Sequence, residues 1–360
     1  MKFGWSTRQR AAWRPKNAAD RPDSAVGAAT AVAAGRIHVM DIVREGWDLV
    51  LVFAALYLMR LFLPLPFANE VVIFSIYAVG CNFLLGRVGL ISFGQPAYLA
   101  VGAYAAACYL YYFGGNAYVG ILVGMLVGLI VALLIGPFFV RLRGDYFALV
   151  NLALAVIVFY LAQTVLVDLT HGDNGLLILD RLEPTPVLDL SRPSQFFIFA
   201  LLVAFAVWAF YKYIDASIYG ACCLATKANE NKLRFLGYSD RGIRLLAFVI
   251  ANTTTALAGA MYAVYLGFVS PEMTSPARAA DPLIVVILGG VGTLYGPIVG
   301  SIAYTGMKDL ASKLVTNWEL VIGLLLVAVM LGGERGIWGT LEPLLRRARA
   351  RAGSRRLDTE

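Results

Sequence analysis

Apolar runs long enough to cross a lipid bilayer recur from Trp47 to Met330 of this 360-residue chain. A helix needs roughly 18 to 20 such residues to span hydrocarbon. The runs predict spans near 49–64, 71–86, 90–112, 118–139, 146–167, 195–214, 245–268 and 317–332. Only 15% of the residues are charged, against roughly 25% in soluble domains. A water-facing surface cannot be built from that supply, so the fold class is an all-α polytopic membrane protein with about eight transmembrane helices.

A further apolar stretch, 282–306, is interrupted by the glycines and proline of residues 289–297, which disfavour one straight helix. It reads as a re-entrant broken-helix hairpin. Lys and Arg accumulate on the cytoplasmic side of short loops, and this bias chooses between a hairpin and a full crossing. With a hairpin, both termini are cytoplasmic, 24 of the 30 Lys and Arg lie inside and five lie in outside loops. A full crossing would put six C-terminal arginines outside. The domain reading is a basic, disordered cytoplasmic tail at 1–46, a transmembrane domain at 47–332 with a cytoplasmic loop at 212–244, and a second basic tail at 333–360.

The net charge of +7 sits in tails and loops beside the spans. That placement suits topology and contact with anionic membrane lipid, not nucleic acid. Cys81 and Cys108 fall in spans, and Cys222 and Cys223 are adjacent in a loop. Neither a disulfide framework nor a metal site follows, and no cofactor is expected.

Small residues at Gly120, Gly124, Gly128, Ala132 and Gly136, and at Thr255, Gly259, Ala263 and Gly267, form rows that admit a neighbouring backbone. They serve helix packing, or a gate that slides along them. A short internal echo pairs Leu85–Gly89 with Leu288–Gly292, as in carriers built from repeats with broken helices.

Residues 86–104 place Ser92 and Gln95 three residues apart on one helical face. Polar groups facing lipid are costly, so these should face protein or a water-lined path. Asn82, Asn151, Gln163 and Asn252 are similar: each either lines a translocation pathway or bonds a neighbouring helix. Gly289, Gly290 and Gly292, in the interrupted stretch, join the pathway candidates. The acidic residues nearest the spans, Glu70, Asp145, Asp168 and Glu319, sit at or beyond span ends, which disfavours an ion-coupled carrier. The external loop at 170–178, with His171, Asp173 and Asn174 among glycines, reads as a structured turn or docking loop.

In the 212–244 loop, residues 225–238 read as a short amphipathic helix ending at Gly237. Leu233 and Leu236 would enter a groove on a cytoplasmic partner, or the helix would lie on the bilayer. No G-x-x-x-x-G-K-[ST] loop is present to cradle a nucleotide, so the chain is expected not to be an enzyme and any ATP hydrolysis occurs on another chain.

Four stretches together resemble the LivM-type permeases of branched-chain amino acid ABC importers: residues 89–107, 141–155, 171–176, and 245–272 followed by 285–300. The resemblance covers roughly 70–340. The family's coupling loop is close to A-I-R-E-N-E followed by L-G. Here Ala225, Lys227, Asn229, Glu230, Leu236 and Gly237 fall in register, while Thr226 and Ala228 depart and Lys227 replaces the usual Arg. The resemblance implies a bacterial inner-membrane permease subunit paired with a LivH-like permease. Two cytoplasmic ATP-binding subunits and a periplasmic substrate-binding protein complete the assembly. It implies coupling to the ATPase through Lys227, Asn229, Glu230, Leu233, Leu236 and Gly237, and branched-chain amino acids as cargo. Urea, short amides and aromatic acids are the alternatives within that architecture. An ion-coupled carrier or channel, or a membrane scaffold, would be a different class.

Overall fold

The computed structural model describes residues 49–50, 52–58, 60, 63–181, 188–314, 323 and 336–338. The expected tail at 1–46 lies outside the described residues, as do nearly all of the span at 317–332 and of the 333–360 tail. Helix α1 runs Leu65–Phe83 and continues as a π-helical turn, Leu84–Val88. It is followed by α2 (Gln95–Phe113), α3 (Ala117–Phe139) and α4 (Asp145–Tyr160), the last extended by a π turn to Val165. Helix α5 is Pro193–Ala216, α6 Ile218–Ala228, α7 Glu230–Phe235 and α8 Asp240–Leu266. Helices α9 (Asp281–Gly289) and α10 (Gly296–Leu314) close the described chain.

Five of these elements, beginning at Leu65, Ala117, Asp145, Pro193 and Asp240, are long and apolar enough to cross a membrane. One expectation needs correcting. The predicted helix at 90–112 starts at Gln95, so Ser92 lies in a non-helical segment and shares no helical face with Gln95. Gly89 adopts a left-handed φ of 79° after the π turn, and Pro96, which fits only a first helical turn, sets the restart.

The small-residue rows are packing faces. Gly124 lies against Gly102 of α2 and Ala260 of α8, Gly128 against Ala256, and Gly136 against Leu245 and Phe248. The opposite face of α3 turns Leu122, Leu126, Ile130 and Leu133 outward. A helix apolar on every side is therefore divided by side-chain size, with small residues toward protein. A Cβ on Gly259 would collide with the Leu99 carbonyl of α2, and backbone cannot yield as a side-chain tip does. Gly259→Ala is expected to cost on the order of 3 kcal/mol, read as a lowered midpoint of thermal unfolding in detergent. Gly242→Ala, whose added carbon would lie 3.6 Å from the nearest atom, should leave the midpoint nearly unchanged.

On the face carrying the 170–178 loop, Leu176–Leu177 pair antiparallel with Phe268–Val269. His171 is left-handed at φ 59°, and Thr170 Oγ1 donates to the Ala162 carbonyl at 2.6 Å. The loop is a structured turn.

Candidate translocation path and coupling segment

Helix α9 spans nine residues, roughly 13 Å, too short to cross hydrocarbon. It is joined to α10 by a six-residue turn in which Gly290 and Gly292 have φ of 118° and 78°. Only glycine takes such angles freely. Beyond the turn the two helices lie antiparallel with backbones touching: a Cβ on Gly289 would strike the Gly296 carbonyl, and one on Gly300 the Val285 carbonyl. The interruption expected at 289–297 is thus a helical hairpin.

Asn82, near the C-terminal end of α1, holds the tip of this hairpin. Its Nδ2 donates to the Thr293 carbonyl at 2.9 Å, and its Oδ1 accepts from the Gly292 amide at 2.8 Å. Trp208 of α5 adds a bond from Nε1 to the Leu294 carbonyl at 2.9 Å. Gly86, inside the π turn, lies so close to Gly292 that a Cβ would collide with its backbone. The two segments of the sequence echo therefore meet. Asn82, Arg87, Asp215 and the 292–294 turn line a narrow crevice, in which Arg87 Nη2 bonds Asp215 Oδ2 at 2.6 Å.

Gln95 is fully buried, and its Oε1 accepts from Thr255 Oγ1 at 2.5 Å. Thr255 is near the middle of α8, so α2 begins midway along that helix. Gly94, the cap of α2, abuts Asn151, where a Cβ would come within 2.9 Å of the Asn151 Cβ. Ser92 Oγ, Gln95 Nε2, Asn151 Oδ1 and both amide atoms of Asn252 are buried without a protein partner among the described residues. Buried polar groups are ordinarily satisfied, so these atoms call for a polar partner, water or solute, that the described residues do not supply. Gln163 does not join them: it donates to Asp173 at 2.8 Å on the exposed loop.

The 225–238 segment is two helices, not one. Asn229, extended at φ −167°, ends α6 and caps α7 by accepting from Asn231 and Lys232 amides. Gly237 is left-handed at φ 83°, as a residue after a helix end often is. The expectation for Leu233 is corrected: it is 3% exposed, packed inward under α7. In a one-and-a-half-turn helix the outward positions go to Phe235 and Leu236, at 90% and 74% exposed. Glu230 pairs with Arg244 and, at 3.1 Å, with Arg143. Arg244 Nε also bonds Asp240 Oδ1 at 3.0 Å, and Arg234 reaches Asp240 at 3.3 Å. Sequence reasoning missed this ion network, although Asp240 and Arg244 stand at the i,i+4 spacing of helical pairs.

Lys227 joins the two regions. Its Nζ donates to the Gly86 carbonyl at 3.0 Å, and its aliphatic stem covers Gly89. The adjacent thiols are inert structural groups: burial raises Cys222, and raises Cys223 to about 11, so both stay neutral near pH 7.

No solved structure matches the chain. The high-affinity branched-chain amino acid permease LivM of Escherichia coli is 29% identical over 305 residues, 78% of this chain and 71% of that protein. A probable LivM of Methanocaldococcus jannaschii is 23% identical, over 70% of this chain and 82% of its own. The autoinducer 2 import permease LsrC of Escherichia coli is 28% identical over 41% of this chain and 46% of its own. The model of the branched-chain amino acid transport system permease component family matches residues 63–330. The chain belongs to that family and is a multi-pass membrane permease subunit of an ABC importer.

Proposed function

We propose that this subunit carries branched-chain amino acids into a bacterial cell across the inner membrane, paired with a LivH-like permease. Two cytoplasmic ATP-binding subunits drive it and a periplasmic binding protein supplies it. Eight spans place both termini in the cytoplasm, and the α9–α10 hairpin enters from outside with its tip toward the coupling segment. The observation that carries this reading is the contact chain from Lys227 through Gly86 to Gly292, with Asn82 gripping the same turn. A pull on α6 and α7 is felt at the break between α9 and α10 without any intervening soft element. Ser92, Gln95 and Asn151, with Gly289, Gly290 and Gly292, line the path. Their amide and hydroxyl groups hold a polar solute by hydrogen bonds without a fixed charge.

Phe235 and Leu236 are the side chains that seat on the ATP-binding subunit. In proteoliposomes holding the whole importer, Phe235→Ala with Leu236→Ala is expected to lower ATP-dependent leucine uptake at least roughly tenfold, as loss of two interface anchors does. Copurification of the ATP-binding subunits should weaken in parallel. Undiminished uptake would remove these residues from the coupling surface. Uptake of urea or an aromatic acid in place of leucine would change the cargo and keep the architecture.

A further inference from the structure

The described residues also border two cavities near the far end of α1 from the coupling segment, and neither was foreseen from the sequence. The larger, about 590 Å³, lies between the first turns of α1 and the last turns of α8 and α10, within the size range of small-molecule sites. Its lining is mostly apolar, with Pro66, Phe67 and Tyr265, and carries a few charged residues, among them Glu70 and Lys308 paired at 3.0 Å. Tyr262 belongs to its wall and also to the wall of the second cavity.

That second cavity is a crevice of about 20 Å³, room for a water molecule but not for an amino acid. Ile73, Leu99 and Met273 give it an apolar floor, and Arg278 and Asp281 supply one positive and one negative group. Arg278 has no ion pair with a carboxylate among the described residues, whereas Asp281 already has partners, the Tyr304 hydroxyl among them, which an incoming ammonium group would share. Between the cavities, Phe74 packs edge-on to Tyr262 with ring centres 6.2 Å apart, and the Lys308 ammonium lies 5.7 Å from the Phe74 ring. Leu99 stands one helical turn beyond Gln95, and Tyr77, also in the crevice wall, lies five residues before Asn82.

We propose that these cavities form the outer access route for a zwitterionic α-amino acid with an apolar side chain. The large cavity receives it, Phe74 and Tyr262 part, and Arg278 takes the carboxylate while Asp281 takes the ammonium group. A charged solute leaving water must find opposite charges or pay its desolvation, and Arg278 and Asp281 offer both signs three residues apart. The apolar floor takes the side chain. Beyond it, the buried amides of Gln95 and Asn82 continue the route toward the inner crevice. This proposal rests on the amino acid permease reading above and names the group that recognises each end of the cargo.

The test uses the complete importer in proteoliposomes with radiolabelled leucine. Arg278→Gln and Asp281→Asn are each expected to lower uptake roughly 30-fold, the scale for truncating one partner of a desolvated charge pair. A second readout stands apart from folding of those variants. With Cys108→Ser as background, Gly306→Cys puts a thiol in the large cavity, where the nearest neighbour is the Phe67 ring at 3.8 Å. Leucine, but not isocaproate or isoamylamine, should slow its reaction with a cationic methanethiosulfonate. A parent importer that carries leucine while both charge variants match it, or a thiol that leucine leaves unprotected, overturns the site alone. A parent that carries no amino acid overturns the cargo reading and this site together.

Discussion

Asn82→Leu is expected to abolish leucine uptake while leaving the chain in the membrane. The substitution keeps side-chain volume and removes two hydrogen bonds, one to the Gly292 amide and one to the Thr293 carbonyl. Asn82 is 6% exposed, so water cannot readily replace it. Gly292 and Thr293 are half-buried, so each backbone group left unpaired costs at most roughly 1–3 kcal/mol and the pair at most roughly 2–6 kcal/mol. That is a large share of the ~5–15 kcal/mol that holds a typical domain folded, and it is concentrated on one turn. The remaining ties, Trp208 to Leu294 and Thr293 Oγ1 to the Gly290 carbonyl, do not reach the Gly292 amide. Asn82→Asp is a sharper control. It still accepts from Gly292 but turns a second oxygen toward the Thr293 carbonyl and buries a charge, so it should do no better than Leu. The measurements are uptake in proteoliposomes and protease protection of the 289–297 turn. Parental uptake by Asn82→Leu would show that the hairpin tip needs no such hold.

What was legible in the sequence is whatever local chemistry decides. Apolar length announced the spans, and glycine with proline announced the break at 289–297, because both act within a few residues. The rows from Gly120 to Gly136 and from Thr255 to Ala263 were legible as contact faces, since only small residues let backbones touch. Partner identity was not legible. Asn82 and Gly292 are 210 positions apart, and no periodicity relates an amide to a turn at that separation. Leu233 and Leu236 looked equivalent as leucines on a short helix, yet the cap at Asn229 sets the rotation that buries one and exposes the other. Arg278 and Asp281 were passed over because they sit between apolar runs, where charge is unremarkable. Only the packing of that segment against α1 and α8 makes them neighbours of Tyr77 and Tyr262.

Arg244→Leu should do the greatest damage to the coupling segment, and comparison with Arg143→Leu shows why. The Arg244 side chain is 3% exposed and the Asp240 side chain 2%. Removing the cation takes the closest bond from a carboxylate that water does not reach and leaves it only the more exposed Arg234 at 3.3 Å and Arg143 at 4.0 Å, at a cost of roughly 3 kcal/mol. Glu230 loses its partner as well, keeping only Arg143, so the first turn of α7 is released from α8. Arg143 is 55% exposed and lies 4.0 Å from Asp240. Exposed pairs of that kind contribute roughly 0–1 kcal/mol, so Arg143→Leu should be nearly silent. The readouts are hydrogen exchange over 229–240 and the ratio of ATP hydrolysed to leucine carried. For Arg244→Leu the exchange should quicken across α7 and the ratio should rise, because hydrolysis continues while the pull on Lys227 and Gly86 slackens. Equal effects from the two arginines would mean that exposed charge, not the buried pair, seats the segment. The contrast rests on burial and on the closer bonding of Arg244 to Asp240, since both arginines reach the same Glu230 and Asp240.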